Sequence, residues 1–117
     1  MIDAKAQELG RLLGQSDEYK ALQRADEALR GDTECRRLFE EVRALDQEFE
    51  RGEREGREPA PAELERYERA VRSLQAHAVY QQWVSGQANF EKLMLKVNQQ
   101  IADGIKKGAA SPIITLG

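Results

Sequence analysis

The stretch from Gly31 to Gly52, GDTECRRLFEEVRALDQEFERG, has apolar residues at alternating spacings of three and four, with charged or polar residues in nearly every gap. This is the pattern of a heptad stripe along about five turns of an α-helix. A stripe this narrow favours contact with another helix over burial in a broad globular core. We therefore predict that the stripe is the seam of a helical hairpin, formed by Cys35, Leu38, Val42, Leu45 and Phe49.

The segment of about residues 51 to 61 interrupts this pattern and predicts the tip of the hairpin. It contains two glycines and two prolines, and no apolar residue larger than Ala or Pro. Glycine and proline at this density indicate a turn rather than a continuous helix. From Leu64 to Leu74 the three-and-four spacing resumes. We therefore expect the helices on either side of the tip to be antiparallel partners.

The remaining sequence predicts further helices. One runs from about residue 3 to residue 13, and Ser16 and Asp32 are suitable N-caps for a second helix and for the first helix of the hairpin. The apolar spacing changes phase near residues 74 to 79. This change predicts a break before a long final helix that ends at about Lys106.

The final helix carries the apolar residues that we expect to join one chain to another. These residues are Tyr80, Trp83, Phe90, Met94 and Val97. Trp83 is the best candidate for the centre of this contact, because an indole buries a large area and anchors interfaces. Gly86 lies among them, although glycine inside a helix is less favourable than alanine by up to about 1 kcal/mol. A close crossing of two helices would explain a glycine at this position.

The composition of the whole chain indicates that these helices need a second copy. Its 117 residues predict one domain over residues 1–117, and 33% of them are charged while 6% are aromatic. Long helices with wide solvated faces bury little surface in a monomer. The predicted fold is all-α, with long antiparallel helices in a coiled-coil-like hairpin or bundle that forms a homodimer or a higher homo-oligomer.

The net charge and the absence of apolar targeting segments limit the kinds of partner and the cellular compartment that we expect. The net charge is −3 and acidic residues are interleaved with the basic ones, so we do not expect direct binding to nucleic acid. No apolar run approaches the roughly 20 residues that span a bilayer, and the start, MIDAKAQELG, lacks the apolar region of a signal peptide. With a single cysteine, the chain is expected to be cytoplasmic and not attached to a membrane.

Cys35 and His77 are the two residues whose side chains are best suited to catalysis. Cys35 lies in the first turn of a predicted helix, where the helix dipole can lower a thiol pKa, yet its register with Leu38 favours a packing role. His77 is the only histidine and lies at the phase change, so capping or exposure is its expected role. We expect no catalytic residue, no cofactor and no metal. An enzyme that uses Cys35 with His77 is the less favoured alternative.

Residues 107 to 117 form a tail of different composition. Ile113, Ile114 and Thr115 prefer extended structure, and Pro112 does not continue a helix. Two interpretations stay open for this tail. It is either a frayed, flexible end or a segment that docks on a partner or pairs as a strand.

Several segments, taken in order, resemble the YlbF/YmcA/YheA family of small helical bacterial regulatory proteins. They are ELGRLLGQSDEYKALQRADEAL, GDTECRRLFEEV, GREPAPAELE and FEKLMLKVNQQIADGI. The resemblance covers about residues 2 to 106. The positions that carry it are Leu9, Ser16, Glu18, Tyr19, Ala25, Leu29, Asp32, Leu38, Phe39, Pro59, Leu74, Val97, Asn98 and Ile101.

The resemblance implies a usually dimeric regulator without enzymatic activity. Some members influence competence, biofilm formation and sporulation through a complex that modulates an RNA-degrading endonuclease, and certain members hold an iron–sulfur cluster with C-terminal cysteines. This sequence has only Cys35, whereas such a cluster typically takes about four thiolates, so it looks closer to the cysteine-poor, YheA-like members. We predict a non-catalytic protein-interaction regulator. The alternative is a chaperone-like helical hairpin, similar in outline to a prefoldin subunit, although the polar tip does not favour it.

Overall fold

The computed structural model describes residues 1–110, and the predicted tail lies, from Ser111 onwards, outside the described residues. Over residues 1–110 the chain forms five α-helices and no strand, which confirms the predicted all-α fold. None of these helices is long and apolar enough to cross a membrane. The helices are α1 (Ile2–Gly14), α2 (Asp17–Gly31), α3 (Thr33–Arg54), α4 (Pro61–Ala76) and α5 (Ala78–Ala109). Because α5 continues past Lys106, residues 107 to 109 of the predicted tail are helical.

Three polar side chains close the N-termini of α2, α3 and α5. The Ser16 Oγ accepts a hydrogen bond from the backbone N–H of Tyr19 at 3.1 Å, as its residue type and position predict. The Asp32 Oδ1 accepts one from the N–H three residues further on at 2.8 Å. His77 is the single residue between α4 and α5, and its Nδ1 accepts from the Val79 N–H at 3.3 Å. The predicted break near residues 74 to 79 is therefore a capped joint between two helices.

Helices α3 and α4 form the predicted hairpin, joined by residues 55 to 60. Gly56 in this connection has a φ of 73°, in the left-handed region that glycine adopts without a steric penalty. Helix α4 begins with Pro61, whose fixed φ suits the first helical position. Near the connection, the rings of Phe49 and Tyr67 meet edge to face with their centroids 5.4 Å apart. This aromatic contact holds the two helices together close to their charged end.

Helix α2 packs along α5, and Gly86 sets how closely the two approach. A Cβ at Gly86 would lie 3.3 Å from the Cα of Leu22, a tighter approach than most Cβ atoms show. One turn further along α5, the ring of Phe90 lies 5.4 Å from that of Tyr19, measured between centroids. The close helix crossing predicted at Gly86 is confirmed, and it joins two helices of the same chain.

The best-buried part of the chain is the junction where α2, α3, α4 and α5 meet. The centre of this junction is formed by Leu29, Cys35, Leu38 and Leu74. Half-buried apolar side chains pack around that centre, namely Phe39, Val42, Val79, Tyr80 and Trp83. Because the ends of α2 and α4 converge here with the starts of α3 and α5, this cluster fixes the hairpin relative to the α2–α5 pair.

The fold is long and thin, with extents of 71 × 36 × 20 Å. Its radius of gyration is 21.7 Å, whereas a compact domain of this length has about 13 Å. Its accessible surface is 9198 Å², compared with about 6,500 Å² for a compact monomer of the same mass. The chain therefore leaves far more surface in contact with solvent than a globular protein of its size.

Candidate interaction surface along the last helix

Helix α5 carries apolar residues on two sides, and residues 1–110 cover only one of them. The covered side faces α2 and includes Gly86 and Phe90. Each residue turns an α-helix by about 100°, which places Val84 and Leu95 roughly opposite Gly86. These two side chains are 43% and 59% exposed, respectively. Apolar residues on two sides of a helix are typical of a helix that lies between two neighbours.

The uncovered side of α5 carries a row of apolar and small residues, with Glu91 and Asn98 between them on the same face. We refer to Val84, Ala88, Leu95 and Ala102 as the outer stripe, and all four are exposed. Their spacings of four and seven keep them on one face of the helix. The two alanines leave room for the backbone of another helix to approach closely. The outer stripe is therefore a surface on which a second helix can lie lengthwise.

Of the five residues that we predicted to join two chains, the three aromatic ones make ring contacts within one chain. The ring centroid of Phe39 lies 6.3 Å from that of Tyr80 and 5.6 Å from that of Trp83. The others lie further along α5, where Phe90 contacts α2. All five are half-buried and keep part of their surface exposed, namely Tyr80, Trp83, Phe90, Met94 and Val97. They thus border the outer stripe and the α2 contact rather than forming a separate apolar face.

A single three-and-four apolar series does not reveal the outer stripe, because that series follows the side of α5 that packs against Phe39 of α3 and against α2. Alanine carries too little hydrophobicity to mark a second face by itself. The signal that finds the stripe is the recurrence of Val84 and Leu95 eleven residues apart, with Ala88 between them and Ala102 seven residues after Leu95. Eleven residues make close to three helical turns, so both side chains point in the same direction.

The residues of the predicted hairpin seam lie on the inner side of α3. Cys35, Leu38 and Leu45 are buried, and Val42 and Phe49 are half-buried. The first part of the seam packs in the four-helix junction, and Phe49 contacts Tyr67 of α4 near the other end.

Cys35 and His77 occupy positions that serve packing and capping. Cys35 has 0% of its surface exposed, and burial, followed by the negative charges of Asp32 and Glu34, raises the pKa of its thiol. A buried, protonated thiol is a poor nucleophile. The His77 ring accepts the cap hydrogen bond through Nδ1 and places Nε2 3.5 Å from Asp32 Oδ1. Within residues 1–110, no three His, Cys, Asp or Glu side chains form a group that could hold a metal ion.

The exposed end of the hairpin carries charges of both signs. Arg51 pairs with Glu48, and Arg57 pairs with Glu55 at 2.7 Å. The hydrogen bond and the positive charge of Arg51 lower the pKa of Glu48, so this carboxyl stays ionised beside its partner. Such paired charges do not offer the single-sign stripe that nucleic acid favours. They also do not offer the apolar platform that an unfolded client would need.

Known proteins share both the sequence pattern and the fold. Residues 2–106 match the protein family described as control of competence regulator ComK, YlbF/YmcA. A UPF0342 protein of Staphylococcus saprophyticus is 25% identical over 96 residues, which cover 82% of this chain and 84% of that protein.

Among solved structures, a protein of unknown function (DUF964) from Bacillus stearothermophilus is similar with a TM-score of 0.67. The similarity covers 94% of this chain and 96% of that one at 21% sequence identity, and it therefore shows a shared fold. The family match extends over nearly the whole described chain and agrees with the family predicted from the sequence. The chain belongs to the YlbF/YmcA family, whose description is the control of the competence regulator ComK.

Proposed function

We propose that this protein is a non-catalytic regulator that acts through protein–protein contacts, and that its working form is a homodimer built on α5. The observation that carries this proposal is the exposed outer stripe on the side of α5 opposite α2. A second copy of the same helix matches the stripe in length and in its mixture of large and small apolar residues. Tyr80, Trp83 and Met94 would add their exposed edges to this contact, whereas Phe90 and Val97 lie nearer to α2.

The amount of exposed surface supports self-association. The chain exposes 9198 Å², about 2,700 Å² more than a compact monomer of its mass. A stable interface of standard size takes about 800 Å² from each partner. One contact along α5 is therefore well within the surface that the elongated fold leaves open, and further surface remains for another protein.

Family membership supports a regulatory role for the proposed dimer. The resemblance described above extends this to control of competence, biofilm formation, sporulation and RNA processing through complex formation. In this proposal the protein contributes helical surface rather than chemistry, which agrees with the buried state of the Cys35 thiol. We also propose that it works in the cytoplasm, where such complexes would form.

Sedimentation equilibrium at micromolar concentration tests the dimer directly. We expect the wild type to sediment as a dimer and Leu95→Glu to sediment as a folded monomer, because the substitution places a charge in the centre of the outer stripe. Ala44→Glu is the matched control, since Ala44 is an exposed position on α3. A wild-type protein that is folded and monomeric at these concentrations would contradict the proposal.

A further inference from the structure

The free ends of α1 and α5 form an apolar groove that is separate from the outer stripe. Its volume is about 380 Å³, and it is lined by Met1, Ile2, Lys5, Ala6, Leu9 and Ile101. Ile2 is 84% exposed and Ile101 is 46% exposed. Residues 1–110 therefore leave the groove open to solvent. Among the residues that line it, Lys5 is the only one with a charged side chain. An apolar groove of this kind on a highly charged chain indicates a surface that something apolar covers.

We propose that this groove is the docking site for residues 113–116 of the same chain. Helix α5 ends at Ala109, at the same end of the molecule as the groove. With a rise of about 1.5 Å per residue, Ile101 lies about 12 Å back along α5 from Ala109. Seven residues, 111 to 117, span up to about 23 Å when extended. The segment is thus long enough to reverse direction and reach the groove.

The chemistry of this segment complements the groove. Ile113, Ile114 and Leu116 provide apolar side chains, and residues 111 to 117 contain no charged side chain that would lose its hydration on docking. Ile105 is 66% exposed and lies between Ala109 and Ile101 on α5. It therefore offers an apolar surface along the path from the end of the helix to the groove.

Docking of the segment would be independent of the proposed dimer. Neither Val84 nor Leu95 lines the groove. The groove residues come from the N-terminal part of α1 and the C-terminal part of α5. A covered groove would also hold α1 against α5, which matters because α1 has no buried residue of its own. The segment would thus act as a strap across the open end of the helix pair.

Disulfide trapping tests the proposal in the full chain. We expect Ile2→Cys combined with Leu116→Cys to form a disulfide within one chain at least tenfold faster than Ala4→Cys combined with Leu116→Cys. Ala4 is the matched control because it is exposed and lies two residues away, turned by about 200° from Ile2. Cys35 stays in both variants, since its surface is fully buried. Non-reducing electrophoresis and peptide mass spectrometry would identify the bond.

Each outcome distinguishes the segment from other occupants of the groove. Equal rates for the Ile2 and Ala4 pairs would overturn the proposal. A disulfide found only between two chains would also overturn it and would assign the groove to a second copy.

Hydrogen exchange provides a second measurement. A variant that ends at Ala110 should exchange the amide hydrogens of residues 5 to 9 several-fold faster than the full chain, with exchange in α3 unchanged. Unchanged exchange in α1 would contradict docking, whatever the sedimentation results show for the dimer.

Discussion

The Asp32 Oδ1 lies 3.5 Å from the His77 Nε2, and each of these residues is the N-cap of a different helix. Asp32 caps α3 through the Cys35 N–H, and His77 caps α5 through the Val79 N–H. The two caps therefore connect the start of the hairpin to the start of the long helix. Because these starts are next to the buried junction, the caps and the apolar cluster position the same four helix ends.

We expect Asp32→Ala to lower the free energy of unfolding by about 1 kcal/mol, with about 2 kcal/mol as the upper bound. The substitution removes the cap hydrogen bond to Cys35 and the contact with His77. Urea unfolding monitored by circular dichroism measures the change. Asp103→Ala is the control, because Asp103 only forms an exposed pair with Lys107 at 2.9 Å, which is worth about 0–1 kcal/mol.

A double-mutant cycle then tests whether the two caps are coupled. Asp32→Ala, His77→Ala and the double variant should give a coupling energy of at least about 0.5 kcal/mol, as residues in direct contact do. Strict additivity of the two changes would show that the two caps act independently.

Gly86→Ala and Gly104→Ala are expected to have opposite effects on stability. Alanine is the better helix former by about 1 kcal/mol at both positions. At Gly104 no atom lies within 4 Å of an added Cβ, so the variant should be more stable. At Gly86 the added Cβ would lie 3.3 Å from the Leu22 Cα, a backbone atom that cannot move without shifting α2. We expect this clash to cancel or reverse the gain, as thermal unfolding of the two variants would show. Equal stabilisation would contradict the close approach.

Stability should fall at alkaline pH partly through Cys35. Burial is the first cause of the raised pKa of this thiol, so the folded state retains its proton after the unfolded chain has released it. The contribution is complete below the unfolded pKa of about 8.5 and declines as the pH rises above it. We expect the unfolding free energy of Cys35→Ala to decline less steeply than that of the wild type between pH 8 and pH 10, measured in urea. Parallel pH profiles would contradict a raised pKa.

The hairpin should depend on the Tyr67 hydroxyl as well as on its ring. Hydrogen bonding to the Asp46 carboxylate, followed by burial and the negative charge of Asp46, raises the pKa of Tyr67. Tyr67→Phe should lower the unfolding free energy by about 1 kcal/mol because it removes this bond and keeps the ring. Phe49→Ala should have a larger effect, since it removes the edge-to-face contact and its buried area. An unchanged unfolding free energy in Tyr67→Phe, which keeps Asp46, would show that the hydrogen bond contributes nothing to stability.

The helices and their limits follow from local chemistry and could be predicted. Ser16 and Asp32 are capping residues because a side-chain oxygen there accepts a backbone N–H of the first turn, which depends only on neighbouring residues. The glycines and prolines between residues 51 and 61 determine the turn of the hairpin in the same way. The family could also be predicted, because its pattern is a sequence of such local signals in a given order.

Local signals in the sequence specify that the chain is helical and where its helices begin and end. Which surface covers each apolar residue of α5 depends instead on tertiary packing. Tyr80 and Trp83 lie against Phe39, Phe90 lies against Tyr19, and Val84 with Leu95 is left to solvent. Helical periodicity specifies the direction of a side chain, whereas the identity of its neighbour depends on how helices distant in the sequence pack together.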